Sequence, residues 1–233
     1  MTRKPHLLVV EDEIAIRTGL LDVLVFHGFT VEAASDGHDG LRKALGGAFD
    51  LILLDVMLPG VDGFEICNRI RAQDRTQPII MLTAKTSDED IIQGLSLGAD
   101  DYVGKPFSVA QLVLRVQAVL RRTRTNSKAE RMIQFSDDFE IDTANLSGRR
   151  GSETLTFTKR EMEILQCLHA HAERPVTRDE LLHEVWGYAK NLELETRTVD
   201  IHIAKLRRKI EVDPAEPRFL ITVRGAGYRL IAQ

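Results

Sequence analysis

FDLILLDVMLPG, the stretch at residues 49–60, is a short apolar run followed by a carboxylate, Asp55. Such a run predicts a buried β-strand with Asp55 at its carboxyl end. Similar runs predict four further strands in the first half of the chain: 7–10, 31–34, 78–82 and 102–103. Amphipathic stretches predict helices in the same half: 13–27, 37–46, 62–72, 87–96 and 108–121. The alternation of strand and helix predicts an α/β fold with a doubly wound, five-stranded parallel sheet.

The second half of the chain follows another pattern. Residues 131–157 predict short strands joined by turns, and two Thr-x-x-Glu capping boxes predict helices that begin after Thr158 and Thr177. A third helix is predicted near 196–210. Two apolar runs around a glycine-rich turn then predict a closing β-hairpin: 219–223 and 228–231. Together these elements predict a winged helix-turn-helix domain of the α+β class.

A polar segment, RRTRTNSKAE at residues 121–130, separates the two halves. It contains five charges and one small apolar residue, which predicts a solvated linker. We therefore predict a first domain over 1–122, a linker over 123–130 and a second domain over 131–233. The alternative is that the preceding helix extends into this segment.

Composition excludes several classes of protein. With 233 residues and 43% hydrophobic side chains, the chain can bury substantial cores and is not wholly disordered. No apolar run reaches the roughly 18 residues that span a membrane, and the apolar start is too short for a signal peptide. We therefore expect no membrane insertion. Cys67 and Cys167 form no ligand-spaced motif, which argues against a disulfide framework or a zinc ribbon and favours a cytoplasmic location.

The net charge of −4 argues weakly against nucleic acid binding, but its distribution is uneven. Residues 1–120 contain 11 Lys and Arg against 17 Asp and Glu, whereas residues 121–233 contain 20 against 18. The first half is therefore acidic and the second slightly basic, which predicts different partners for the two halves.

Polar side chains with complementary chemistry follow four of the predicted strands. Glu11 and Asp12 follow the first, Asp55 the third, Thr83 the fourth and Lys105 the fifth. Sites in open α/β sheets form beyond the carboxyl ends of the strands, so these side chains are expected to converge. Three mutually repelling carboxylates predict a site for Mg²⁺ or Mn²⁺. Singly, each residue is ordinary turn or cap material, and only their joint placement indicates a site.

Asp55 is the candidate nucleophile of this pocket. A carboxylate can accept a phosphoryl group as an acyl phosphate, with Lys105 and Thr83 stabilising the phosphoryl oxygens. A phosphohydrolase would use the same nucleophile, but it would need a second carboxylate at the position of Met57. We therefore do not expect a classical enzyme.

Four motifs resemble the receiver domain of two-component response regulators, which has a flavodoxin-like fold: VVEDE at 9–13, LLDVMLPG at 53–60, MLTA at 81–84 and KPF at 105–107. The resemblance implies that Asp55 accepts a phosphoryl group from a sensor histidine kinase. It also implies that the domain catalyses its own phosphorylation and slow dephosphorylation. The implied Mg²⁺ ligands are Glu11, Asp12, Asp55 and the backbone carbonyl of Met57.

The same resemblance assigns roles to the later strand ends. Thr83 and Lys105 would contact the phosphoryl group, and Thr83 with Tyr102 would form the conformational switch. A half-buried strand tyrosine is the ordinary alternative for Tyr102. The Lys105–Pro106 peptide bond is expected to be cis, as X-Pro bonds allow.

The third helix of the second half has an apolar side and a basic side. Taking Val199 as the reference angle, Ile203, Leu206 and Ile210 lie on the same side and predict a core face. The opposite face is predicted to contact DNA: Arg197, Ile201, Ala204, Lys205 and Arg208, flanked by His202 and Arg207. A solvated charged face is the alternative, and the bulky apolar Ile201 amid charges argues against it.

Several motifs of this half resemble the winged-helix effector domain of the OmpR/PhoB family: LTFTKRE at 155–161, VW at 185–186, RTVDIHI at 197–203, LRRK at 206–209 and TVRGAGY at 222–228. The resemblance implies a transcription factor that binds double-stranded DNA and works with RNA polymerase. It places the leading DNA contacts at Arg197, Lys205, Arg207, Thr222 and Arg224.

The resemblance also implies a homodimer that forms on phosphorylation and reads tandem half-sites. The implied interface combines the fourth helix, the fifth strand and the fifth helix of the first half, where Asp100, Asp101, Arg115 and Arg122 fit its charged network. This chain departs from the pattern at two positions, with Ile91 in place of a basic residue and Gln111 in place of its acidic partner. We hypothesise that an apolar or amide contact replaces that ion pair and alters the choice of partner.

Two further functions are alternatives to a phosphorylation-controlled transcription factor. A regulator that ignores phosphorylation would share the fold, although the complete pocket argues against it. A pure protein-interaction module would not need the basic helix and the hairpin.

Overall fold

The computed structural model describes residues 3–84, 97–122, 131–188 and 197–233. The chain divides into two compact units, Met1–Arg124 and Thr125–Gln233. The predicted linker, 123–130, lies outside the described residues, so its predicted structure stays a prediction.

The first unit contains a five-stranded parallel sheet. Its strands are β1 (His6–Val10), β2 (Thr30–Ala34), β3 (Leu51–Asp55), β4 (Ile79–Thr83) and β5 (Asp101–Gly104). Their order is β2-β1-β3-β4-β5, and every neighbouring pair is parallel. The predicted doubly wound sheet is thereby confirmed.

Four described helices accompany this sheet: α1 (Ile14–Phe26), α2 (Gly37–Gly46), α3 (Gly63–Gln73) and α4 (Val109–Arg122). The helix predicted over 87–96 lies outside the described residues. All five residues of β3 are buried because both faces of a central parallel strand are covered. Leu7, Val9 and Leu53 form one core with Leu20 of α1 and Val116 of α4.

The second unit begins with a four-stranded antiparallel sheet in the order β6-β7-β8-β9. Its strands are β6 (Met132–Ser136), β7 (Phe139–Asp142), β8 (Ser147–Arg150) and β9 (Glu153–Thr156). Three described helices follow, α5 (Lys159–Ala170), α6 (Arg178–Trp186) and α7 (Arg197–Ile210), and then the hairpin β10 (Leu220–Val223) and β11 (Gly227–Leu230).

The starts of α5 and α6 follow the predicted capping residues. Thr158 accepts a hydrogen bond from the backbone N–H of Glu161, and the Glu161 side chain accepts one from the N–H of Thr158. Thr177 accepts one from the N–H of Glu180. Each bond satisfies an amide that the helix itself leaves unpaired.

The hairpin is attached to the chain just before α6. Val176 and Tyr228 exchange backbone hydrogen bonds of 2.8 and 2.9 Å. A Cβ at Gly227 would lie 2.0 Å from the carbonyl oxygen of Val176, so only glycine permits this approach. The two elements therefore meet at a fixed distance.

Among the helices that the structure describes, none combines the length and the apolar character needed to cross a membrane.

Candidate functional site

An acidic cluster lies at the carboxyl edge of the parallel sheet. Glu11 and Asp12 follow β1, and Asp55 ends the neighbouring strand β3. One carboxylate oxygen from each of the three residues lies within 4.8 Å of the others. The structure thus brings together the three carboxylates that the sequence predicted to converge.

Lys105, which follows β5, bridges two of these carboxylates. Its Nζ lies 2.8 Å from oxygens of both Glu11 and Asp55. The backbone N–H of Lys105 donates a 2.6 Å hydrogen bond to the carbonyl of Thr83. Burial opposes the charged form of Lys105, but the hydrogen bonds with Asp55 and Glu11 raise its pKa above the usual value. The bridging group is therefore an ammonium ion at neutral pH.

The charge of Lys105 does not balance the cluster. Burial raises the pKa of Glu11, the nearby Asp55 charge raises it further, and the hydrogen bond from Lys105 only partly offsets both. A divalent cation bound through carboxylate oxygens would supply the missing positive charge, and Mg²⁺ prefers such ligands. The donor set of Glu11, Asp12 and Asp55 fits that cation.

Asp55 is held close to the loop that follows it. The N–H of Met57 donates a 3.2 Å hydrogen bond to Oδ1 of Asp55, while Oδ2 faces Lys105. A Cβ at Gly63, the first residue of α3, would lie 2.1 Å from the carbonyl oxygen of Asp55. The approach of α3 to the end of β3 therefore requires glycine at this position.

The predicted switch residues occupy adjacent strands. Thr83 ends β4 and is fully buried, and Tyr102 lies in β5 with 7% of its surface exposed. The Lys105–Pro106 peptide bond is cis, which confirms the expectation for that bond. The switching roles of Thr83 and Tyr102 stay a prediction.

The charged residues assigned to the dimer face are bonded within their own unit. Asp100 is buried, lies 2.9 Å from the guanidinium of Arg71 and accepts a 2.8 Å hydrogen bond from the N–H of Ile79. Asp101 is fully buried and lies 2.6 Å from Arg115 of α4. Both carboxylates are therefore neutralised by arginines of their own unit, and their predicted part in a dimer interface stays a prediction.

Of the three other residues assigned to the dimer face, Ile91, Gln111 and Arg122, the structure describes the side chain of Gln111. Gln111 is exposed on α4. Ile91 lies outside the described residues, as does the side chain of Arg122.

The predicted DNA face of α7 is narrower than the sequence suggested. Arg197, Ala204 and Arg208 are exposed, and Arg207 is half-buried. Three other residues of the predicted face are buried: Ile201, His202 and Lys205, with 7%, 1% and 9% of their surfaces exposed. Their placement on the exposed face was wrong.

Two neighbouring helices explain this wider buried side. Lys205 Nζ lies 3.0 Å from Glu161 of α5, and the ring of His202 meets that of Trp186 of α6 edge-on at 5.3 Å. The angular prediction assumed one core face, whereas α7 has contacts on two sides. Lys205 therefore holds α7 to α5, and Ile201 is a core residue.

Glu161 is an internal anchor that the sequence identified only as a helix cap. Its carboxylate lies 3.0 Å from Lys205 and 2.7 Å from Lys209, both on α7. Burial alone would raise the pKa of Glu161, but the charges of Lys205 and Lys209 hold it below the usual value. Nothing in the local sequence pattern pairs these residues, which are more than forty positions apart in the chain.

A second polar cluster links α6, α7 and the hairpin. Arg178 Nε donates a 2.6 Å hydrogen bond to Asp200, its NH2 group lies 3.0 Å from the hydroxyl of Tyr228, and that hydroxyl donates to Asp200. Burial and the hydrogen bond with Asp200 raise the pKa of Tyr228 to about 12. No local sequence signal indicates this cluster, since its members come from three separate elements.

The predicted hairpin contacts, Thr222 and Arg224, are both exposed. Arg207 of α7 donates hydrogen bonds of 2.8 Å to the carbonyl of Leu220 and 2.7 Å to the hydroxyl of Thr222. Arg207 therefore connects the basic helix with the hairpin in addition to its predicted contact with DNA.

Comparison with known proteins gives consistent matches over both units. Residues 7–117 match the profile described as the response regulator receiver domain, and residues 151–230 match that of the C-terminal domain of transcriptional regulatory proteins. The response regulator MprA of Mycobacterium tuberculosis is 38% identical over 225 residues, covering 97% of this chain and 96% of that protein. The probable transcriptional regulator ycf27 of Guillardia theta is 40% identical over 229 residues, covering 97% and 90%.

Solved structures agree with these matches. Response regulator DrrB, an OmpR/PhoB homologue from Thermotoga maritima, is 32% identical with a TM-score of 0.53, covering 98% of this chain and 99% of that one. A RitR mutant is 26% identical with a TM-score of 0.73, covering 97% and 99%.

Proposed function

This chain belongs to the response regulators that join a receiver domain to a DNA-binding domain of the OmpR/PhoB type, and from that premise we propose that phosphorylation of Asp55 by a sensor histidine kinase controls its binding to DNA. The observation that carries the proposal is the position of Lys105 Nζ, 2.8 Å from both Asp55 and Glu11, within a cluster of three carboxylates. A carboxylate beside an ammonium group is suited to accept a phosphoryl group, because the ammonium stabilises the phosphoryl oxygens.

Phosphoryl transfer uses these residues in defined roles. An oxygen of Asp55 attacks the phosphorus of a phosphohistidine, the P–N bond breaks and an acyl phosphate forms. Lys105 transfers its hydrogen bond from the Asp55 carboxylate to the phosphoryl oxygens, and Thr83 donates its hydroxyl. Glu11, Asp12, Asp55 and the carbonyl of Met57 would hold Mg²⁺, which neutralises the phosphoryl charge when bound. Slow hydrolysis of the acyl phosphate returns the domain to its resting form.

Phosphorylation then acts through a local change in charge and packing. The phosphoryl group adds a charge of about −1.5 to −2. The hydrogen bond that it accepts from the Thr83 hydroxyl moves that side chain toward Asp55. Tyr102 occupies the space that Thr83 leaves, which favours pairing of two receivers into a homodimer. Two linked DNA-binding domains then engage tandem half-sites, because the second binding event is intramolecular.

The proposed DNA contacts are four exposed residues and the half-buried Arg207: Arg197, Arg208, Thr222, Arg224 and Arg207. Arginine side chains neutralise phosphates and read guanine edges in the major groove. Ile201, His202 and Lys205 are excluded from this set because they are buried. The setting proposed for this activity is the cytoplasm, with RNA polymerase as a further partner.

The proposal is tested by comparing wild type with Asp55→Asn, in the presence of Mg²⁺ and a small acyl phosphate donor. Wild type is expected to gain the mass of one phosphoryl group and to bind its DNA more tightly, whereas Asp55→Asn does neither. Asp22→Asn, an exposed change on α1, is the matched control and should behave like wild type. Equal DNA binding by wild type and Asp55→Asn under phosphorylating conditions would contradict phosphorylation control.

A further inference from the structure

Three metal-ligating side chains meet between α5 and α6, in residues that none of the sites above uses. Cys167 lies on α5, His171 caps the end of that helix four residues later, and Glu184 lies on α6. A ligand atom from each lies within 4.8 Å of the others. The spacing of the cysteines in the sequence gave no indication of a metal site, because the third ligand comes from a different helix.

The distances are close to those of a coordination shell. Sγ of Cys167 lies 3.3 Å from Oε2 of Glu184, and Nδ1 of His171 lies 3.9 Å from the same oxygen. Tetrahedral coordination at bond lengths of about 2.0–2.3 Å places neighbouring ligand atoms about 3.3–3.6 Å apart. His171 Nδ1 also lies 2.9 Å from the carbonyl oxygen of Cys167, and coordination would replace that contact through a rotation of the ring.

The chemistry of the set selects a particular class of ion. A thiolate, an imidazole and a carboxylate together suit a borderline-soft cation, unlike the all-oxygen pocket around Asp55. The side chains of His171 and Glu184 are 28% and 38% exposed, so a fourth position can be filled by water. Binding would release the thiol proton of Cys167 to solvent as the metal–sulfur bond forms.

Arg174, the arginine nearest to this cluster along the chain, is paired with Glu180 and not with Glu184. Arg174 lies 2.9 Å from Glu180, and that hydrogen bond is the main reason why the pKa of Arg174 is raised. Arg174 feels Glu184 only as a nearby charge, and the hydrogen bond that Glu184 accepts comes from the thiol of Cys167, whose proton a metal ion would replace.

We propose that Cys167, His171 and Glu184 bind a thiophilic divalent cation of the Zn²⁺ class and thereby join the end of α5 to α6. The site is independent of Asp55 and of its phosphorylation. Because α6 also carries Arg178, which holds Asp200 of α7, an ion at this site would restrain the helices that support the DNA-binding face.

Cobalt(II) is a suitable probe, since thiolate coordination gives an intense near-ultraviolet charge-transfer band that carboxylates alone do not give. Full-length protein kept reduced by a phosphine is titrated with Co²⁺, and Zn²⁺ is then added to displace it. Wild type is expected to show the band, Cys167→Ser to lose it, and Cys67→Ser, the matched control in the first unit, to keep it. Absence of the band in wild type, or its persistence in Cys167→Ser, would overturn the proposal.

A second measurement covers the case in which Cys167→Ser does not fold. Glu184→Gln and His171→Gln each remove one ligand and leave the thiol in place, so Co²⁺ binding should weaken by about tenfold or more. Zn²⁺ should raise the thermal unfolding temperature of wild type and not that of Glu184→Gln. Equal Co²⁺ affinity in wild type and both variants would show that these residues are not ligands.

Discussion

Lys105 compensates repulsion that the fold creates when it brings three carboxylates to one edge of the sheet. The sheet places Glu11 and Asp55 at the carboxyl ends of adjacent strands, and the ammonium group of Lys105 bonds to both. Removing one partner from a buried ionic group leaves uncompensated charge and costs several kcal/mol. Lys105 therefore has a structural role in the resting protein as well as its proposed role in phosphoryl transfer.

We predict that Lys105→Met lowers the free energy of unfolding by about 2–4 kcal/mol without Mg²⁺. Mg²⁺ should restore part of that loss, because the ion replaces the missing positive charge. Urea unfolding with and without Mg²⁺ measures both effects. Arg69→Met, which removes an exposed ion pair with Glu65, is the control and should cost less than about 1 kcal/mol with no added response to Mg²⁺. An identical Mg²⁺ response in Lys105→Met and wild type would contradict this role.

A second prediction at the scale of single residues concerns the buried carboxylate of Glu161. Glu161→Gln leaves Lys205 and Lys209 without their counter-ion, so the free energy of unfolding should fall by about 2–4 kcal/mol at neutral pH. The pKa of Glu161 is lowered by folding, so its contribution is complete above the ordinary value of 4.5 and is lost as the pH falls through the folded pKa. The difference between wild type and Glu161→Gln should therefore shrink below pH 4.5, as measured by urea unfolding across pH. A difference that stays constant to low pH would argue against the ion pairs.

The sequence predicted the acidic pocket better than the DNA face, for a physical reason. Glu11, Asp55 and Lys105 follow strands of one parallel sheet, and strand ends in such a sheet converge whatever the details of packing. The exposure of Ile201 and Lys205 depends instead on how many neighbours surround α7. A helical projection shows only the apolar side of one helix, and the carboxylate of Glu161, on α5, is not visible in it.

At the scale of elements, directed polar contacts join the hairpin to α7. Tyr228 of β11 donates its hydroxyl hydrogen bond to Asp200 of α7, and Arg207 of α7 donates to Thr222 of β10. These bonds help to fix the position of the hairpin relative to the basic helix. Such bonds are more sensitive to small changes in geometry than an apolar contact is.

We predict that Tyr228→Phe costs about 1–2 kcal/mol of stability, because the aromatic ring stays while the hydrogen bonds of the hydroxyl with Asp200 and Arg178 are lost. DNA affinity should fall as the hairpin loses its fixed position, while the dependence of affinity on salt stays unchanged. Fluorescence anisotropy at several salt concentrations measures the affinity and the slope together.

Arg208→Ala is the matched comparison for this prediction. Arg208 is an exposed cation on α7, so its loss should reduce the salt slope by about one unit if it contacts a phosphate. If Tyr228→Phe changed the salt slope in the same way, or left DNA affinity unchanged, Tyr228 would not be a positioning residue.

The element boundaries that the sequence predicted well are those with strong local signals. The runs that include Leu53 and Ile80 are continuous and apolar, and the capping residues Thr158 and Thr177 mark helix starts. For residues 131–157 the sequence predicted short strands but not the order in which they pair. Strand pairing depends on contacts between segments, which a linear pattern does not specify. The structure arranges them as four consecutive antiparallel strands.

At the scale of the whole molecule, the proposed activation requires two copies of the chain. A DNA-binding domain with a slight positive charge binds weakly alone, and pairing raises its effective concentration at the second half-site. Asp100 and Asp101 pair with arginines of their own unit, whereas Gln111 is exposed and can contact a second copy. The hypothesis that Ile91 and Gln111 replace an ion pair therefore bears directly on dimerisation.

We predict that Ile91→Lys weakens dimerisation of the phosphorylated protein and that adding Gln111→Glu restores it. An exposed ion pair is worth about 0–1 kcal/mol, so the change in dimer dissociation constant should be no more than about fivefold. Sedimentation velocity across protein concentrations measures it. Val25→Lys, an exposed apolar residue on α1, is the control. Unchanged dimerisation and unchanged preference for identical partners in Ile91→Lys would refute the hypothesis.

The close approach of α3 to β3 also has a genetic consequence. Every missense change that one base substitution can make in a glycine codon introduces a Cβ atom, and at Gly63 that atom would lie 2.1 Å from the carbonyl oxygen of Asp55. The residue that carries the proposed phosphoryl group would be displaced by a mutation eight positions away. The codon for Gly63 is therefore a sensitive mutational target, although glycine contributes no chemistry of its own.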